Sequence, residues 1–150
     1  MFLEEIFPTP IWGFDLNMDV DSIKYWCYSC MKENPGRVIS NVGGWQSEDY
    51  REFGNTPLTE LVLYIVRESH NIANDIGIPK GDRWIENLWL NINPKYSYNQ
   101  VHVHPEARLS GVFYVSAPEN SGDICFTRSG GYALGTAAPN STRYSSCEWC

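Results

Sequence analysis

The sequence predicts an α+β fold, with N-terminal helices packed on a sheet or jelly-roll core. Two amphipathic stretches occupy the first half of the chain. From Arg83 onward they give way to short segments of alternating polarity. Clusters of Pro, Gly and Ser separate those segments, as turns separate strands.

Residues 9–16, Thr-Pro-Ile-Trp-Gly-Phe-Asp-Leu, alternate well enough to open the fold as a strand. Asp19 can cap a helix running to about Asn34, with Val20, Ile23, Cys27, Cys30 and Met31 on its buried face. Pro35-Gly36 stops it. Residues 40–47, Ser-Asn-Val-Gly-Gly-Trp-Gln-Ser, read as a loop. The spacing predicts a second helix over 57–76. Thr56 is its cap, Pro57 its first residue, and Leu58, Leu61, Val62, Ile65, Ile72 and Ile76 its apolar stripe. Gly77 and Pro79 end it. Trp84–Asn93, Val101–His104, Leu109–Ser116 and Asp123–Phe126 then read as strands. Residues 127–150 are rich in Gly, Ser and Thr and have little periodicity, like an unfinished loop. With no repeat or low-complexity linker, residues 1–150 are expected to form one domain.

The 150 residues carry a formal charge of −7, and 43% of them are hydrophobic, which suits a globular protein. An acidic surface repels a phosphate backbone, so no nucleic-acid partner is expected. No apolar run approaches the ~20 residues that cross a bilayer. Glu4 and Glu5 stand where a secretory signal carries basic residues, so the expected location is the cytoplasm, without a membrane partner. Five cysteines, an odd number, fit a reducing compartment better than a disulfide framework. Cys27/Cys30 and Cys147/Cys150 have the spacing of a four-thiolate zinc site. No turn residue shapes a knuckle around either pair, however, and Cys27 and Cys30 share an apolar helical face, so buried thiols are the expectation. Asn140-Ser141-Thr142 is a glycosylation sequon, which without a signal peptide is a chance match.

Of three histidines, His70 lies on the second helix beside its apolar stripe and reads as structural. His102 and His104 alternate with Val101 and Val103, so on a strand both imidazoles face the same side. Two imidazoles on one face can chelate a divalent metal, although such a pair also occurs on plain solvent-facing strands.

The surrounding residues distinguish this pair. Trp89-Leu90-Asn91-Ile92-Asn93, then Tyr98-Asn99-Gln100-Val101-His102-Val103-His104-Pro105, then Leu109-Ser110-Gly111-Val112-Phe113-Tyr114-Val115 resemble the core of a 2-oxoglutarate–Fe(II) oxygenase family. The branch is one common in marine bacteria and their phages, distantly related to prolyl hydroxylases. Phe7-Pro8-Thr9-Pro10-Ile11-Trp12 and Ser40–Ser47 resemble the family's N-terminal half, so the likeness spans residues 1 to about 127, most specifically Asn99–Val115.

The resemblance implies a double-stranded β-helix holding Fe(II) in a facial triad of two histidines and a carboxylate, with 2-oxoglutarate as cosubstrate. It places metal ligands at His102 and His104. Tyr114 matches a position that often hydrogen-bonds the cosubstrate in relatives, and Asn91 is a second candidate for that contact. The implied chemistry is oxygen activation, decarboxylation of 2-oxoglutarate to succinate, and hydroxylation of a protein side chain or small molecule.

Two departures from the family pattern stand out. The wider superfamily uses His-x-Asp or His-x-Glu, whereas here the third residue is His104; the alternative pair is His104 with Glu106. Pro105 disturbs strand pairing where Glu106 would have to point inward, which favours His102 with His104. No histidine follows His104, and Arg128 and Arg143 lie too early to meet the cosubstrate's far carboxylate. The reading is therefore of an oxygenase domain lacking its C-terminal strands, either a truncated frame or an inactive remnant. Two other readings compete. One is a metal-free jelly-roll module gripping a ligand through Trp84, Trp89, Tyr96 and Tyr98. The other is a cupin-like metal enzyme that would need the same missing strands.

Overall fold

The computed structural model describes residues 9–79 and 85–126. Helix α1 is Val20–Glu33, strand β1 Asn41–Val42, β2 Trp45–Gln46, helix α2 Thr59–Asp75, β3 Asn91–Ile92 and β4 Tyr98–Asn99. Among the described residues, two helices and small antiparallel sheets are consistent with the α+β class.

α1 begins where expected. The Asp19 carboxylate accepts the Ser22 N–H at 3.1 Å, satisfying one of the amides that a helix start leaves without a partner. At its end the Asn34 N–H returns to the Cys30 carbonyl at 3.0 Å, and Asn34 is already extended. Ile23 and Cys27 are buried, while Val20, Cys30 and Met31 are only half-buried. α2 starts two residues later than its sequence suggests. Thr56 does not cap it: the Thr56 hydroxyl accepts the Leu58 N–H inside a preceding turn, and the N-cap residue is Leu58, without a side-chain bond. Leu58, Leu61, Val62 and Ala73 form the buried face, whereas Ile76, at the frayed end, is exposed.

Residues 40–47 are not a plain loop. β1 and β2 sit back to back and pair with different partners: Asn41 opposes Asn99 and Val42 opposes Tyr98, while Trp45 opposes Ile92 and Gln46 opposes Asn91. Gly43, at φ +73°, makes the sharp reversal between them. The second ladder continues beyond β2. The Ser47 N–H donates to the Leu90 carbonyl at 3.0 Å while the Ser47 hydroxyl accepts the Leu90 N–H at 2.9 Å, and Tyr50 bridges Leu88 at 2.7 and 3.2 Å, so residues 88–92 run antiparallel to 45–50. This is the paired part of the stretch expected as a strand from Trp84; Trp84 itself lies outside the described residues.

The expected strands at 9–16, 101–104 and 109–116 are extended or turning chain without ladder partners among the described residues, and 123–126 is not assigned as strand. Val101 and Val103 are 75% and 78% exposed. Alternation specifies which side chains share a face, but only a neighbouring chain's N–H and C=O groups make a strand. Ile23, Cys27, Leu58, Leu61, Val62 and Leu90 are the core, with Phe113 and Val115 packed against it. The helices therefore lie on the 88–92 segment, and the chain immediately after it carries the two histidines.

Candidate metal centre

The route to the histidines is held by amides. The buried Asn41 side chain donates to the carbonyls of Arg37 and Gly44 at 3.2 and 2.9 Å, tying off the β1–β2 reversal. Asn93 donates to the Asn99 side chain at 2.9 Å, and Asn99 donates to the Ser40 hydroxyl at 3.1 Å. These bonds join the end of β3 to β4 and β4 to the chain before β1. One residue beyond β4, the Gln100 N–H donates to the Ser40 carbonyl at 2.8 Å. The ladder thus delivers the chain in a fixed direction two residues before His102.

His102 is exposed and its Nδ1 stands 2.7 Å from the Gln100 carbonyl oxygen. His104 is half-buried. The two rings approach edge to face, with centres 4.9 Å apart and planes at 71°. Trp89 stacks on His104 at 5.3 Å and 23°. Burial beneath the indole pushes the His104 imidazole below its ordinary value, and the neighbouring His102 charge pushes it the same way. His104 therefore keeps a free lone pair at neutral pH, as a metal ligand must.

The spacing can be compared with a metal's geometry. With metal–nitrogen bonds of about 2.1 Å and ring centres about 1.2 Å further out, two imidazoles at right angles about one ion have centres roughly 4.7 Å apart. The observed 4.9 Å suits two adjacent coordination positions. Among the described residues, no third His, Cys, Asp or Glu joins the pair to make a three-donor group. Glu106 sits at the second corner of a turn closed by the Ala107 N–H to the His104 carbonyl at 3.3 Å. Its φ is +67° and it is exposed. The histidines stand together without the strand that their alternation suggested; the turn at Pro105-Glu106 and the Trp89 stack hold them instead.

Asn91 lies on β3 opposite Gln46 and is exposed. Tyr114 is 56% exposed, and partial burial raises its phenol above the ordinary value. Trp89, counted by its sequence among the aromatics of a ligand-gripping face, instead covers His104. Tyr96 of that set is 88% exposed beside Lys95, whose ammonium lies 5.0 Å from its ring centre. Cys27 and Cys30 are free thiols, and burial pushes Cys27 to about 11, a value that keeps it unreactive and un-ionised. Cys30 is less buried than expected, and Cys125 is disulfide-bonded, a departure from an all-thiol chain. Cys147 and Cys150, the other half of the zinc alternative, lie outside the described residues. No helix among the described residues is long and apolar enough to cross a membrane.

Residues 87–148 match the family model described as "Putative 2OG-Fe(II) oxygenase". Over these residues the chain is similar to that family. The matched segment begins two residues before Trp89 and contains both histidines, the Gln100 carbonyl and Tyr114. The match supports an oxygenase-type function, and the family it describes implies Fe(II) and 2-oxoglutarate. No curated protein and no solved structure matches the chain.

Proposed function

We propose that this chain supplies the first two metal ligands, His102 and His104, of an Fe(II)- and 2-oxoglutarate-dependent hydroxylase built on a double-stranded β-helix. The observation that carries the reading is the imidazole pair itself, at adjacent-ligand spacing inside the oxygenase family segment. The exposed turn position of Glu106 favours His102 over Glu106 as the partner of His104. The third ligand is to be sought outside the described residues. Bound iron would supply oxygen activation coupled to conversion of 2-oxoglutarate to succinate. Tyr114 and Asn91 would take the cosubstrate's polar groups, and the substrate would be a protein side chain or a small molecule in the cytoplasm.

The chain's own contribution is orientation and protonation state. The Gln100 carbonyl holds one ring, the Trp89 face holds the other, and burial keeps His104 neutral. Anaerobic equilibrium dialysis with Fe(II) tests the reading. His102→Ala and His104→Ala should each weaken binding by about tenfold or more, equivalent to at least ~1.4 kcal/mol. His70→Ala and Cys27→Ser should leave it unchanged. Equal binding by all four variants would remove the histidine pair from consideration.

A further inference from the structure

We infer that the Gln100 main-chain carbonyl sets the tautomer of His102, so that Nε2 is the nitrogen this residue offers to a metal. The inference rests on the proposed ligand role of His102 and adds which atom performs it. A carbonyl oxygen can only accept, so a 2.7 Å approach by Nδ1 requires the proton on Nδ1. A neutral imidazole has one ring proton, which leaves the lone pair on Nε2.

The acceptor is not a passing contact. The N–H of the same residue, Gln100, is fixed to the Ser40 carbonyl at 2.8 Å, and Ser40 is 7% exposed. The Ser40 hydroxyl accepts from Asn99, which is paired with Asn41 across the ladder. Both the position and the direction of the carbonyl are thus inherited from β1 and β4. A ring turned over by 180° would present carbon to that oxygen and lose the bond. Hydrogen bonding of this kind at the non-ligating nitrogen typically changes metal affinity 10–100-fold. His104 is secured differently, by the Trp89 stack, so the two rings are oriented by independent contacts.

Two measurements on the full chain decide the matter. The first needs neither a variant nor a metal. Two-bond 15N–1H correlation spectra of histidine-labelled protein are recorded at about pH 8.5, above the ordinary imidazole range. The expected pattern for His102 is a protonated Nδ1 and a bare Nε2; the opposite tautomer, or averaging between the two, would overturn the inference. The second replaces His102 by Nδ1-methylhistidine and titrates Co(II) while observing the His104 ring resonances. Binding should survive with affinity reduced about 10–100-fold, because the orienting bond is gone but the ligating atom remains. Abolished binding would show that Nδ1 is the ligand and refute the assignment. If His102→Ala and the methylated chain both bind Co(II) as the wild type does, the ligand role itself fails, whichever tautomer the first measurement finds.

Discussion

Gly44→Ala probes the join between the two ladders, where the structure leaves no room for a methyl group. A Cβ at Gly44 would stand 2.1 Å from the Asn93 Oδ1, 3.2 Å from its Cγ and 3.1 Å from the Ile92 carbonyl oxygen. The Asn93 amide is free to swing away, but doing so breaks its bond to Asn99, a loss of about 1 kcal/mol. The Ile92 carbonyl belongs to β3 and must also give by a few tenths of an ångström. Overpacking of this kind costs about 1–2 kcal/mol. Against these stands a gain of roughly 0.4–1 kcal/mol from a less flexible unfolded chain. The net expectation is a destabilisation of about 1–2 kcal/mol. Gly54→Ala is the control: nothing lies within 4 Å of its Cβ and its φ is outside the left-handed region, so only the favourable ~0.4–1 kcal/mol remains. Urea unfolding followed by tryptophan fluorescence should separate the two midpoints by roughly 1 M, given a slope of about 2 kcal/mol/M. If Gly44→Ala were as stable as wild type, or more stable than Gly54→Ala, the close approach of β2 to Asn93 would be refuted.

Trp89→Ala should let the His104 imidazole return towards its ordinary value, since burial is the larger cause of its depression; a 1H NMR titration of the ring reads this directly. The sign for stability follows. With the folded value lowered, the unfolded chain takes up the proton first, so His104 erodes stability as pH falls through about 6.5 to its folded value, and His104→Asn should flatten that part of the profile. Asp49→Asn removes the carboxylate that pairs with Arg37 and accepts from Asn87 at 3.5 Å, leaving a largely covered guanidinium whose Nε already has no hydrogen-bond partner among the described residues. We expect a loss of about 1–2 kcal/mol near neutral pH in a urea melt. Because Arg37 lowers the Asp49 carboxyl, that difference should be present above about pH 3.9 and shrink as pH falls through the folded value.

Some of this architecture is written in local sequence and some is not. α1 and α2 are marked by an Asp cap, a Pro stop and an apolar stripe, each a signal contained within one helix. β1 and β2 are two residues each, too short to display alternation, and their partners lie some fifty residues away. Conversely, Val101–His104 alternates without a ladder among the described residues, because alternation carries no information about a partner's backbone. The histidine pair was visible as a pair. What orients it was not: a main-chain carbonyl such as that of Gln100 leaves no mark in a sequence, and Trp89 on an alternating segment looks the same whether it covers a core, a ligand or an imidazole.

The proposed iron site at His102 and His104 can be tested by site-resolved paramagnetic broadening on anaerobic addition of Fe(II) to the 15N-labelled chain. The ring resonances of His102 and His104 should broaden first, with the Trp89 indole next because it stacks on His104, and His102→Ala/His104→Ala should abolish the effect. Broadening centred on Cys27 and Cys30, or unchanged in the double variant, would contradict it.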